Sequence, residues 1–78
     1  METIGQRLKK YREDKEVSQL ELSKNSGISK SYISEIESGK YSNISIGKLC
    51  KFCKVLKLTP NDLIPEHYWR DWIGTTYS

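Results

Sequence analysis

VSQLELSKNSGISKSYISEIESGKYSNIS, Val17 to Ser45, decides the fold of this 78-residue chain. Ser18 precedes Gln19 and has Glu21 three positions on, the spacing at which a serine and a glutamate cap one another across a first helical turn. Leu20 and Leu22 supply that helix with apolar side chains. It should stop near Asn25–Ser26–Gly27, where Gly27 suits a left-handed C-cap. Ser29 is the next N-cap candidate. Its helix should run through Lys30–Glu37 with Ile33 and Ile36 turned inward, Tyr32 beside them, and should end at Ser38–Gly39. Lys40 to Ile44 reads as a polar loop, after which Ser45 caps the next element.

Outward from this centre the chain continues as short helices. Ile4, Leu8 and Tyr11 fall at i, i+4 and i+7, one face of a helix from about Thr3 to Lys15. Arg7, Lys9, Lys10 and Arg12 take much of its remaining circumference. After Ser45, the residues Ile46, Leu49, Cys50, Cys53 and Leu56 form an apolar stripe, with Lys48, Lys51, Lys54 and Lys57 outside it or along its edges. Thr59–Pro60 announces a last short helix, an N-cap followed by proline at its first position. Leu63 and Ile64 would be its apolar share, and Pro65 would end it. No segment alternates long enough to read as a strand. The expected class is all-α, with five short helices.

Two short helices joined by a tight turn at Gly27, the second opening on small polar residues, form a helix-turn-helix arrangement. Its physics asks for a tight turn packed on apolar residues such as Leu22, Ile28 and Ile33. It also asks for side chains at the start of the second helix that reach base edges in the major groove. Free N–H groups and hydroxyls at the helix N-termini can hold phosphates.

Ser18, Gln19 and Leu22, then Gly27, Ile28, Ser29, Ser31, Tyr32, Ile33, Ser34, Ile36, Glu37 and Gly39, form a dense signature. It closes with Leu49, Leu56, Leu58, Thr59, Pro60, Asp62 and Leu63. Over roughly residues 4–64 the chain resembles the lambda-repressor-like, Cro-type (XRE) helix-turn-helix family. The opening Ile4–Arg12 and the Lys30–Ser31–Tyr32 triplet look like SinR-type repressors; the Tyr32–Glu37 core also resembles restriction–modification controller proteins. The resemblance implies a role for each matching position. Gln19 would bond phosphate and brace the recognition helix. Ser29, Lys30, Ser31 and Glu35 would face base edges, Lys30 donating to guanine and Glu35 accepting from cytosine. Tyr32 and Ser34 would touch the sugar-phosphate backbone, as would Lys40 and Asn43 in the loop. Arg12 and Glu37 would form a structural salt bridge between the first and third helices.

Three positions depart from the family pattern. Ser23 replaces a usual alanine and is still small. Glu16 stands where a glycine commonly precedes the second helix, a strained position if its φ is positive. The loop at Tyr41–Ser42–Asn43 lacks the proline that many relatives carry.

Composition bounds the function. The chain is short enough for one core only. Its hydrophobic content of 36% leaves too little apolar material for a buried catalytic cleft. No run is long enough to span a membrane, and the N-terminus lacks the apolar stretch of a signal peptide, so a cytoplasmic location is expected. Cys50 and Cys53 with the lone His67 fall short of four zinc ligands. They read as core cysteines, with redox sensing as the competing reading. His67 has no nucleophile or orienting acid at a persuasive spacing, so no catalytic residue, metal or cofactor is implied. The lysines of the fourth helix read as a solvated face or as secondary phosphate contacts.

The net charge of +3 is unevenly placed. Residues 1–59 hold twelve Lys/Arg against seven Asp/Glu, and residues 60–78 hold Arg70 against Asp62, Glu66 and Asp71. A basic body favours polyanions through counterion release. The division expected is a DNA-binding domain over residues 1–66 and an aromatic tail over 67–78, the tail covering the core or making a dimer contact. Trp69, Trp72 and Ile73 would give it an apolar face.

The expected function is a sequence-specific, double-stranded-DNA-binding transcriptional regulator, a repressor acting as a homodimer. The alternative is a protein-interaction module or antitoxin that holds a partner protein through the tail.

Overall fold

The computed structural model describes residues 3–41 and 44–65. They form five helices in the order α1 (Ile4–Asp14), α2 (Gln19–Ser26), α3 (Lys30–Glu37), α4 (Ile46–Leu56) and α5 (Pro60–Leu63), with no strand among the described residues. None of these helices is long and apolar enough to cross a membrane. Asn43, His67 and the aromatic tail lie outside the described residues.

Local chemistry sets each helix start. The Thr3 hydroxyl accepts from the Gln6 N–H at 3.1 Å, and the Gln6 side chain accepts from the Thr3 N–H at 2.9 Å. Ser18 and Glu21 form the same reciprocal box at α2. Ser29 and Ser45 cap α3 and α4 through the Tyr32 and Lys48 N–H groups. At α5 the Asp62 carboxylate accepts from both the N–H and the hydroxyl of Thr59. Each such cap satisfies donors that the first turn leaves without a helical partner, for about 1 kcal/mol.

Left-handed residues set the stops. Gly27 (φ 76°) closes α2 and Gly39 (φ 87°) follows α3. Glu16 (φ 58°) and Lys57 (φ 56°) do the same work after α1 and α4 without glycine's freedom. The strain anticipated at Glu16 is therefore present. There the Glu16 and Val17 N–H groups bond back to the carbonyls of Glu13 and Arg12, the paired bonds of a Schellman turn.

The core gathers one face of every helix. Leu8, Leu22, Ile33, Ile36, Phe52, Leu56 and Leu63 are fully buried, each contributing about 1.5–3 kcal/mol by leaving water. Helices α1 and α3 approach closely at Gly5, where a Cβ would stand 1.8 Å from the Ile36 carbonyl oxygen. Only a glycine lets the two backbones meet there.

Three sequence expectations are corrected. The buried stripe of α4 is Leu49, Phe52, Cys53 and Leu56; Ile46 is 70% exposed and Cys50 is also exposed. The helix is rotated so that the bulky Phe52 fills the core, which carries Ile46 and Cys50 outward. Of the two cysteines only Cys53 is a core residue, and burial pushes its thiol pKa up. Leu20, expected to contribute to α2's apolar side, is 51% exposed; Leu22 alone is buried on that helix.

Candidate nucleic-acid interface

Helix α3 divides into two sides. Ile33, Ile36 and Glu37 are buried, while Lys30, Ser31 and Ser34 are exposed and Glu35 is half-buried. The exposed side, with Gln19 from α2, lines an open concavity of about 330 Å³. Five of the residues expected to meet DNA thus lie on one surface: Gln19, Lys30, Ser31, Ser34 and Glu35. The turn that brings α2 and α3 together is three residues long, Gly27 to Ser29. Ile28 is buried beneath it.

A buried ion pair holds α3 in place. Arg12 of α1 donates from Nε to Glu37 Oε2 at 2.7 Å and from Nη2 to Oε1 at 2.9 Å. Its Nη1 donates to the Val17 carbonyl at 2.8 Å. Arg12 and Glu37 are 8% and 6% exposed, and the carboxylate bond raises the guanidinium pKa further. Gln19 Nε2 donates to Glu37 Oε1 at 3.0 Å, so one carboxylate at the end of α3 anchors both α1 and α2. The salt bridge and the bracing role expected of Gln19 are both present. An amide nitrogen carries two hydrogens, so Gln19 keeps a donor for a second acceptor.

Ser29 spends an acceptor lone pair on the Tyr32 N–H at 3.1 Å and keeps its own hydroxyl proton to donate. The helix N-termini leave the N–H groups of Gln19, Leu20, Lys30 and Ser31 without intrahelical partners, the arrangement that suits phosphate oxygens. The α2 and α3 N-termini also carry the positive ends of their helix dipoles.

In the loop after α3, Lys40 pairs with a residue of the recognition-helix candidate itself. Its Nζ lies 2.6 Å from Glu35 Oε2, and the Tyr41 hydroxyl donates to the same oxygen at 3.3 Å. The Lys40 bond lowers the Glu35 pKa and raises that of Lys40 itself. Tyr41 stacks on Tyr32 with ring centroids 5.7 Å apart and planes 26° apart. Lys48 of α4 places Nζ 4.5 Å from the Tyr32 ring centroid, a cation–π contact. Tyr41 is a neighbour of this concave surface that spacing alone did not single out, and the contact of Lys48 with Tyr32 was not foreseen either. Contacts between a loop and two helices leave no periodic trace in a sequence.

Residues 8–63 match the model of the helix-turn-helix family HTH_3. The chain belongs to that family. Helix-turn-helix relatives include the HTH-type transcriptional regulator SinR of Bacillus subtilis (strain 168), 39% identical over 91% of this chain and 64% of its own length. SinR of Bacillus licheniformis is 43% identical over 81% of this chain and 57% of its own length. The chain therefore spans less than two thirds of either regulator. A crystal structure of SinR in complex with DNA superposes with a TM-score of 0.74 at 43% identity, covering 78% of this chain and 97% of that one. The restriction–modification controller protein C.AhdI from Aeromonas hydrophila gives 0.72 at 34%, over 78% and 91%. A SinR/SinI complex gives 0.77 at 34%, over 97% and 80%. The helix-turn-helix fold is that of lambda-repressor-like proteins.

Proposed function

We propose that this protein is a sequence-specific DNA-binding transcriptional regulator that lays the exposed side of α3 in the major groove. One observation carries the reading: Lys30, Ser31, Ser34 and Glu35 share a concave polar surface whose helix is braced from behind by Arg12, Gln19 and Glu37. Reading bases requires side chains held in register by a rigid backbone, and the brace supplies that rigidity. Lys30 can donate to guanine O6 or N7, and Ser29, Ser31 and Ser34 can bond bases or phosphates. The similarity to SinR, solved in complex with DNA, supports DNA as the ligand.

Action as a repressor follows if the protein occupies a site that polymerase needs. A homodimer follows from energetics. One module of this kind buries about 600–1,000 Å² on DNA, and two copies about 34 Å apart along the duplex would read half-sites one turn apart. Selection of bound sequences from a random DNA pool tests site, specificity and half-site spacing together. The expected result is a recovered paired site, with Lys30→Ala losing about 1–3 kcal/mol of discrimination at one base pair. Equal affinity for random DNA and for the selected pool would overturn the proposal.

A second reading, partner-protein binding through residues 67–78, is favoured by one observation. The chain is similar to a chain of the SinR/SinI complex, 34% identical over 97% of its length. A stable complex with a second protein, lost on removing residues 67–78, is the result this reading expects.

A further inference from the structure

We propose that Lys40 and Tyr41 clamp Glu35 and set how it reads a base, so that the loop after α3 determines specificity through Glu35 and not through phosphate. The inference rests on the DNA-binding reading above. Both loop side chains bond one carboxylate oxygen, Oε2, at 2.6 and 3.3 Å. The other oxygen, Oε1, has no partner among the described residues and remains an acceptor. Glu35 shares its concavity with Lys30, Ser31 and Ser34, where a base edge would lie.

Two physical effects favour the clamp over a free glutamate. A bare carboxylate entering the groove is repelled by phosphates on both strands, and a lysine paired to it cancels that charge locally. A glutamate free to sample its rotamers must also be ordered when it meets a base, at an entropic cost that a preformed partner removes in advance. The clamp itself is anchored on the helix it serves. Tyr41 stacks on Tyr32, one turn before Glu35, and Lys48 makes a cation–π contact with the same Tyr32 ring. The oriented Oε1 then suits the exocyclic amine of cytosine, a donor that the major groove presents at that base alone of its pair. Lys40 becomes a positioning residue in place of the backbone contact that the family resemblance implied.

The test measures binding of the full chain to its selected site and to every single-base-pair variant of it, over a series of salt concentrations. Five proteins are compared: the natural chain, Lys40→Met, Lys40→Arg, Glu35→Gln and the Lys40→Met/Glu35→Gln double variant. Lys40→Met is expected to reduce discrimination at one base pair by about fivefold, the lower edge of what a base contact contributes. It should leave the salt dependence unchanged and have no added effect when Glu35 is already glutamine. Lys40→Arg, which keeps the ion pair, should restore the preference. Uniform weakening across all sequences, with the salt slope reduced by about one, would make Lys40 a phosphate contact and overturn the inference. Unchanged affinities everywhere would overturn it as well. If the natural chain itself shows no sequence preference, the DNA-binding reading fails, a result distinct from either. Neither side chain is part of the core, so melting curves should confirm that the variants keep the fold.

Discussion

Replacing Arg12 with methionine removes a charge from the interior and strands its partner. In the natural chain Arg12 makes three bonds, two to Glu37 at 2.7 and 2.9 Å and one to the Val17 carbonyl at 2.8 Å. The substitution leaves Glu37, 6% exposed, with only the Gln19 amide at 3.0 Å. Breaking a buried pair in this way costs about 3–5 kcal/mol, because the remaining charge is neither solvated nor matched. A chain of this size has on the order of 4–12 kcal/mol of stability in total. The variant should therefore melt at least about 12 °C lower, given about 4–8 °C per kcal/mol for small domains. Thermal and urea unfolding followed by circular dichroism measure both quantities. The double variant Arg12→Met/Glu37→Met should recover much of the loss, since no buried charge is then left alone. A single variant that loses under about 1 kcal/mol, or a double variant whose loss is the simple sum of the two singles, would refute the reasoning.

Gly5→Ala should destabilise by about 1–3 kcal/mol or more in urea unfolding, since the new Cβ meets the Ile36 backbone and not a movable side chain. An unchanged midpoint would mean that α1 and α3 separate at little cost. Lys57→Gly should raise stability by up to about 1 kcal/mol, relief of the left-handed strain exceeding the added freedom of the unfolded chain. A lower melting temperature would contradict that balance. Thiol reagents should modify Cys50 quickly and Cys53 only on unfolding, because burial both shields Cys53 and raises its pKa. Equal rates at the two would refute the placement of α4.

Helix starts and stops were legible in the chain because they depend on chemistry within three or four residues. Ser18 with Glu21, Ser29, Ser45 and the Thr59–Pro60 pair each mark a boundary that the structure keeps. The polar side of α3 was reached through family resemblance, and Lys30, Ser31, Ser34 and Glu35 do line one concavity. What escaped was decided by tertiary packing. Periodicity placed Ile46 and Cys50 on the buried stripe of α4, but Phe52 occupies the core instead and both are left exposed. Nothing local to Gly5 announces that it faces Ile36, thirty-one residues away in sequence. The partners of Glu35 come from a loop whose shape depends on Gly39 and on the Tyr32–Tyr41 stack. The Arg12–Glu37 pair was reached through family resemblance, since a contact across 25 residues has no signature in spacing.

Glu37 is the last residue of α3, and its carboxylate bonds both Arg12 of α1 and Gln19 of α2. The residues that hold the helix and the residues that would read DNA therefore occupy different sides of the same eight-residue element. On the proposed reading, substitution at Lys30, Ser31 or Ser34 would change the message without altering the buried Leu22, Ile33 or Ile36. Such a module can acquire a new target in few mutational steps, with the stability of the domain held constant while its address drifts.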